Sequence, residues 1–164
     1  MKNLKEITNK IITKNNFHCL IIILIIFFLD RYSKIQVIQN FSDSIVYINE
    51  VLNFNLTWNT GIGFGLMSSK SPLIYNSIST IISLVIIFLI IIGIKSDKFD
   101  RMTFSVIIGG ALGNFYDRIF YKAVPDFIDL HYKDFHWFTF NVADIFVTLG
   151  IICFLMKGFF IKNL

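Results

Sequence analysis

Four long apolar stretches divide this chain, and the segments between them have a different texture. From Phe17 to Leu29 it is almost pure Ile, Leu and Phe, broken only by His18. That run alone is shorter than the roughly 20 residues a bilayer-spanning helix needs. Continued through Asp30 and Lys34 to Ile38, it becomes a first span over 17–38. Leu73 to Ile94 supplies 22 residues without a charge, with Pro72 just before it, where a helix start tolerates proline. A third span covers 102–120, apolar as far as Gly113 and polar beyond. Gly109, Gly110 and Gly113 give it a small-residue face for close helix approach. A fourth covers 140–160, with Trp137 and Phe138 before it as an interfacial belt and Lys157 and Lys162 at its end. Residues 41–71 read differently. Short apolar stretches alternate there with Asn49, Asn53 and Asn59, which predicts short strands. The pattern as a whole predicts one domain, 1–164. Its expected fold is an all-α membrane protein of four transmembrane helices, with a small extracytoplasmic β-rich insert between the first and second.

Composition agrees. The chain is 55% hydrophobic and 16% charged, with a mean hydropathy of +0.67. A soluble domain carries about 25% charged residues. The net charge of +4 does not point to nucleic acid, because the lysines are spread over loops and form no stripe. The basic segment 1–16 could open a signal peptide, but no small-residue cleavage site follows the apolar run. Cys19 and Cys153 both lie in apolar runs and read as buried thiols rather than a disulfide or nucleophile. With four spans both termini share a side. Segments 1–16, 95–101 and 157–162 carry nine Lys and Arg, against six on the other side (Arg31, Lys34, Lys70, Arg118, Lys122 and Lys133). The positive-inside rule then puts both termini in the cytoplasm. Asp30, Lys34, Asn59, Asn114, Arg118, Asp126, Asn141 and Asp144 fall together at the opposite, outer face. Ionisable groups at the edge of hydrocarbon are costly and imply function.

Asn114, Asp117 and Arg118 stand at i, i+3 and i+4, hence on one helix face. The bland alternative is a local Asp117–Arg118 surface pair. Asn141 and Asp144, at i and i+3, fit a capping box, which would give them a purely structural role. The other reading pairs Asp144 with Asp126, on an extended segment after Pro125. Two carboxylates sharing a site cannot both ionise easily, so one keeps a proton while the other can take one from water. The run from His131 to His136 lacks metal-ligand spacing and reads as a solvated outer loop. The Thr60–Gly65 stretch, with glycine at alternate positions, lacks the Lys-Ser/Thr of a phosphate loop and reads as a tight turn.

The motifs LDRYSK (Leu29–Lys34), NTGIGFG (Asn59–Gly65), GGALGNFYDR (Gly109–Arg118), VPDFID (Val124–Asp129) and FNVAD (Phe140–Asp144) resemble, in order, those of bacterial lipoprotein signal peptidase, signal peptidase II. The resemblance covers nearly the whole chain. It implies an aspartic endopeptidase of the bacterial inner membrane, with its site near the outer face. Such an enzyme cuts the signal peptide from a prolipoprotein just before a cysteine carrying diacylglycerol. It implies Asp126 and Asp144 as the catalytic dyad. Asn59, Gly61, Gly110, Asn114, Arg118 and Asn141 would line the substrate site, with Asp30, Lys34 and Asp117 as supporting polar groups. The expected partners are lipidated prolipoproteins and membrane lipids, with no metal, no cofactor, no nucleic acid and a monomeric enzyme. Gly63, where the family more often has alanine, and Pro125 are departures that remove no functional group. The rival readings are a small polytopic transporter and a structural membrane subunit.

Overall fold

The computed structural model describes residues 14–42, 44–61 and 72–162. Four long helices account for the apolar runs: α1 (Lys14–Asn40), α2 (Pro72–Lys95), α3 (Lys98–Phe120) and α4 (Val142–Lys162). Each extends one to four residues beyond at least one end of the run that predicted it, because the helical backbone keeps its own hydrogen bonds through the flanking residues. Two helices, Leu73–Lys95 and Val142–Phe159, are long and apolar enough to cross a membrane on composition alone. In α1 and α3 charged residues interrupt the apolar pattern.

Helix α3 is the centre of the bundle and packs against the other three. Its glycines explain how closely. A Cβ on Gly109 would stand 2.9 Å from the Ile26 Cβ on α1, and one on Gly110 would stand 2.5 Å from the Ala143 carbonyl on α4. Both distances lie inside van der Waals contact, so only glycine permits these approaches. Ile86, Phe104, Ile107 and Ile108 form the apolar core beneath. Outward-facing positions are also apolar. Phe17, Leu24, Phe28, Ile81, Phe88, Leu149, Leu155 and Phe159 are all exposed. An apolar band of this kind on a monomer marks contact with lipid or another apolar partner.

The sheet is larger than the sequence pattern predicts. Its order is β1-β2-β3-β4, every neighbour antiparallel, from β1 (Val46–Asn49), β2 (Leu52–Asn59), β3 (Val124–Tyr132) and β4 (Phe135–Phe140). The insert supplies one hairpin and the segment between α3 and α4 supplies the other. The expected outer loop around His131 and His136 is therefore β-structure, and the fold is helical with a four-stranded sheet rather than all-α with an insert. β3 is buried on both faces over Val124–Phe127, and beyond that it alternates, with Phe127, Asp129 and His131 buried and Ile128 and Leu130 half-buried. His131 is buried and its backbone N–H donates to the Val51 carbonyl, while residues 132–136, His136 among them, are exposed. Cys19 is buried as expected, but Cys153 is exposed on the outer side of α4, its apolar surroundings being surface rather than core. Of the glycine-spaced turn, only Thr60 and Gly61 belong to the described residues, as do residues 41, 42 and 44–61 of the insert; Gly63 and Gly65 lie outside them.

Between β2 and β3 the pairing runs Phe54↔Ile128 and then Thr57↔Asp126, so that Asn55 and Leu56 on β2 face the single Phe127 on β3. This bulge bends β2 beside Asp126, and such bulges redirect side chains.

Candidate active site

Two hydrogen-bonded groups of residues meet at the start of α4. The first centres on Lys34, which is wholly buried. Its Nζ donates to Asp30 Oδ2 at 2.8 Å, to Asn114 Oδ1 at 2.8 Å and to Asp117 Oδ2 at 2.7 Å, using all three ammonium hydrogens. Asp117 also pairs, through Oδ1, with Arg31. The neighbouring Arg118 takes no part, so Asp117 is an internal ion-pair residue and not half of a surface pair. The Arg31 guanidinium lies 4.5 Å from the Tyr116 ring centre, a cation–π contact. Asp30 Oδ1 accepts from the backbone N–H of Ala143 at 2.9 Å, which ties α1 to the first turn of α4. A Cβ on Gly113 would collide with Asp30 Oδ2. Gly113→Ala is therefore expected to displace Asp30 and lower the thermal midpoint of the detergent-solubilised protein. An unchanged melt would mean that α1 shifts freely, and Asp30 would lose its anchoring role.

The second group holds the two acids. Asp144 Oδ1 accepts from Asn114 Nδ2 at 2.8 Å, and Asp144 Oδ2 accepts from the Asn141 backbone N–H at 3.2 Å. The Asn141 side chain returns the bond, Oδ1 accepting from the Asp144 N–H at 3.1 Å, so the capping box exists. It does more than cap, because Asn141 Nδ2 also donates to Asp126 Oδ1 at 2.6 Å. One residue thus touches both carboxyls. Asp126 Oδ2 accepts from Asn59 Nδ2 at 2.9 Å, fixing the end of β2 to β3. Burial pushes the Asp126 carboxyl up to about 6, with the charge of Asp144 adding to the rise and the two asparagine bonds opposing it.

Arg118 Nη2 donates to the Gly61 carbonyl at 2.5 Å, and the Gly61 N–H donates to Asn59 Oδ1 at 2.8 Å. The guanidinium is buried, and its Nε and Nη1 have no partner among the described residues. Tyr75 donates its hydroxyl to the Arg118 carbonyl at 2.7 Å. Asp30, Lys34, Asn59, Gly61, Asn114, Asp117, Arg118, Asp126, Asn141 and Asp144 are thus brought into linked contacts. Gly110 stands apart, in the α3–α4 packing contact. Sequence reasoning missed Arg31 and Tyr75 as participants. Arg31 sits within LDRYSK beside Asp30 and could have been found there, whereas Tyr75 lies in an apolar run with nothing to single it out. No group of three or more His, Cys, Asp or Glu among the described residues has the geometry to hold a metal ion.

The family described as signal peptidase (SPase) II matches residues 22–160. The lipoprotein signal peptidase of Pelagibacter ubique is 49% identical over 158 residues, spanning 94% of this chain and 95% of the relative. That of Anaplasma marginale is 41% identical over 138 residues, 82% of this chain and 80% of its own. A solved bacterial membrane enzyme superposes with a TM-score of 0.74 at 28% identity, covering 87% of each chain.

Proposed function

The chain belongs to the signal peptidase II family of bacterial membrane proteases, and from that premise we propose that it frees prolipoproteins of their signal peptides by aspartic catalysis, with Asp126 and Asp144 as the dyad. The observation that carries this reading is Asn141, hydrogen-bonded at once to both carboxyls. Asp144, at the positive N-terminal end of α4, is the base. It takes a proton from water, and the hydroxide attacks the scissile carbonyl carbon. Asp126 is the acid and first protonates the carbonyl oxygen. When the tetrahedral gem-diol collapses, the C–N bond breaks, the leaving nitrogen takes the proton from Asp144, and Asp126 takes back a hydroxyl proton, which restores the dyad. Buried carboxylate pairs divide acid and base work in this way.

Arg118 would use Nε and Nη1, unpartnered among the described residues, on a substrate carbonyl or glyceride oxygen. The substrate class is a diacylglyceryl-modified prolipoprotein cut just before its lipidated cysteine. α1 to α4 would all cross the membrane with both termini cytoplasmic, as the Lys and Arg distribution supports. In α1 and α3, Asp30, Arg31, Lys34 and Asp117 pair with one another inside the bundle. Nothing in the site favours a transporter or a structural subunit.

The direct test incubates purified protein with a diacylglyceryl-modified prolipoprotein and with its unlipidated precursor. A shortened product from the first alone is expected. No product from either, with inserted and folded protein, would overturn the proposal. Reporter fusions after Lys162 and within 95–101 should report cytoplasm, and fusions near 132–136 the outside.

Arg118→Ala should lower kcat/KM by about thirtyfold, from loss of about 2 kcal/mol of charge-assisted hydrogen bonding. Wild-type kinetics in that variant would remove Arg118 from the substrate site. The pH profile has a defined sign. Asp126 must start protonated, and it holds its proton only below about 6 in the free enzyme. kcat/KM, which reports free-enzyme groups, should therefore fall as pH rises through about 6. A profile flat from about pH 5 to 8 would remove Asp126 as the acid.

A further inference from the structure

The end of the bundle away from the dyad has clefts that the proteolytic reaction does not use. One, of about 450 Å³, opens between α1, α2 and α3 and is walled by Leu20, Ile23, Leu89, Ile90, Phe104 and Ile108. Gly93 widens it, since a Cβ there would sit at ordinary contact, 3.7 Å, from the Phe104 ring. Leu20 and Ile90 are exposed on the helix surface, so the cleft faces whatever surrounds the bundle. The other, of about 610 Å³, lies along α1 and α3, shares Cys19 and Arg101 with the first, and is edged by His18 and Lys98.

The charge around these clefts is not balanced. Asp97 and Asp100, the acids of this end among the described residues, are both engaged by Lys157, at 2.5 and 2.7 Å. Arg101 spends its donors on the Gly93, Ile94 and Ser96 carbonyls and on Asn16, none of them anionic. Lys95, Lys98 and Arg101 therefore outnumber the one acid charge left over once Lys157 is counted. Arg101 lines both clefts and Lys98 edges the second, so an apolar slot with cations at its mouth matches an anionic amphiphile, with an acyl chain below and phosphate above. Basic pockets between spanning helices on the cytoplasmic side bind anionic headgroups for this reason.

We propose that this end of the bundle holds one anionic phospholipid, its acyl chain in the cleft between α1, α2 and α3 and its phosphate against Lys98 and Arg101. The site rests on the cytoplasmic orientation given above but not on proteolysis, so the two fail separately. The lipid holds α1 against α2 and α3 at the end where no sheet braces them.

The test uses the full-length protein, stripped of lipid in detergent and returned to vesicles of phosphatidylglycerol and phosphatidylcholine with identical chains. It is then re-extracted, and native mass spectrometry counts the lipids retained. Wild type should keep phosphatidylglycerol over phosphatidylcholine. Lys98→Gln, an exposed position, should lower phosphatidylglycerol retention about fivefold and leave phosphatidylcholine unchanged. Leu20→Trp, which fills the cleft, should lower retention of both, and Lys133→Gln at the other end should change neither. Soluble glycerol phosphate in excess should not displace the lipid. Equal retention of the two lipids, an unaltered Lys98→Gln, or displacement by glycerol phosphate would each overturn the proposal. Loss of prolipoprotein cleavage with phosphatidylglycerol still bound would count against the proteolytic reading and leave the lipid site standing.

Discussion

Asp126→Asn and Asp144→Asn should each reduce turnover by at least about a thousandfold, the upper range for losing a positioned acid or base. An amide can neither take a proton from water nor return one. The hydrogen-bonding surroundings argue that the effect will be chemical rather than structural. Asp126 accepts from the Asn59 and Asn141 side chains, and Asp144 accepts from Asn114 and the Asn141 backbone. An asparagine in either place keeps its own carbonyl as an acceptor for one of those donors, so the inserted protein should fold. The double variant should be scarcely slower than either single one, because residues acting as a unit are non-additive. Asp134, exposed in the turn between β3 and β4, supplies the control, and Asp134→Asn should keep full activity. Asp129→Asn should also keep substantial activity, though its bond to His136 will be weakened. The measurement is product formed per folded, inserted enzyme. Near-normal turnover by Asp144→Asn would reduce that residue to a helix cap and send the search for the base to Asp129.

How far this site was legible before the structure depended on where each residue lies. The helices announced themselves, since runs such as Leu73–Ile94 have no other stable use. The motif residues were visible because acids and amides are conspicuous beside apolar runs. The second hairpin was not, because Asp126 and Asp129 interrupt the apolar pattern of β3, and its first half, buried on both faces, has no clean two-residue period. Its partner β4 carries aromatics that serve equally well as an interfacial belt. The bond from Asn59 to Asp126 spans 67 positions and depends on β2 pairing with β3, which local pattern cannot specify. The same holds for Lys34. Its i, i+4 relation to Asp30 can be read from sequence, but its bonds to Asn114 and Asp117 exist only because glycines let α3 lie close to α1.

Lys34→Met should be the most destabilising single substitution in the bundle that leaves the dyad's own side chains intact. Methionine fills similar space but leaves Asp30 and Asp117, both wholly buried, facing each other without the ammonium between them. Removing one partner of a buried ion pair costs about 3–5 kcal/mol, because the stranded charge cannot regain water. Arg31 still neutralises Asp117, so the uncompensated charge falls mainly on Asp30. For a chain of this size each kcal/mol moves the midpoint by roughly 2–4 °C, so a fall on the order of 10 °C is expected in a detergent melt. Activity should fall too, because Lys34 holds the Asn114 carbonyl and thereby turns the Asn114 amide N–H toward Asp144. The double variant Lys34→Met, Asp30→Asn separates the two effects. Asparagine at 30 removes the stranded charge yet keeps an acceptor for the Ala143 N–H, so the melt should recover part of the loss. Turnover should not recover with it, since nothing then orients Asn114. A Lys34→Met protein that melts with wild type would show that the buried ammonium does not hold α1, α3 and α4 together. A double variant that recovers turnover along with stability would confine Lys34 to the fold and leave Asn114 oriented by Asp144 alone.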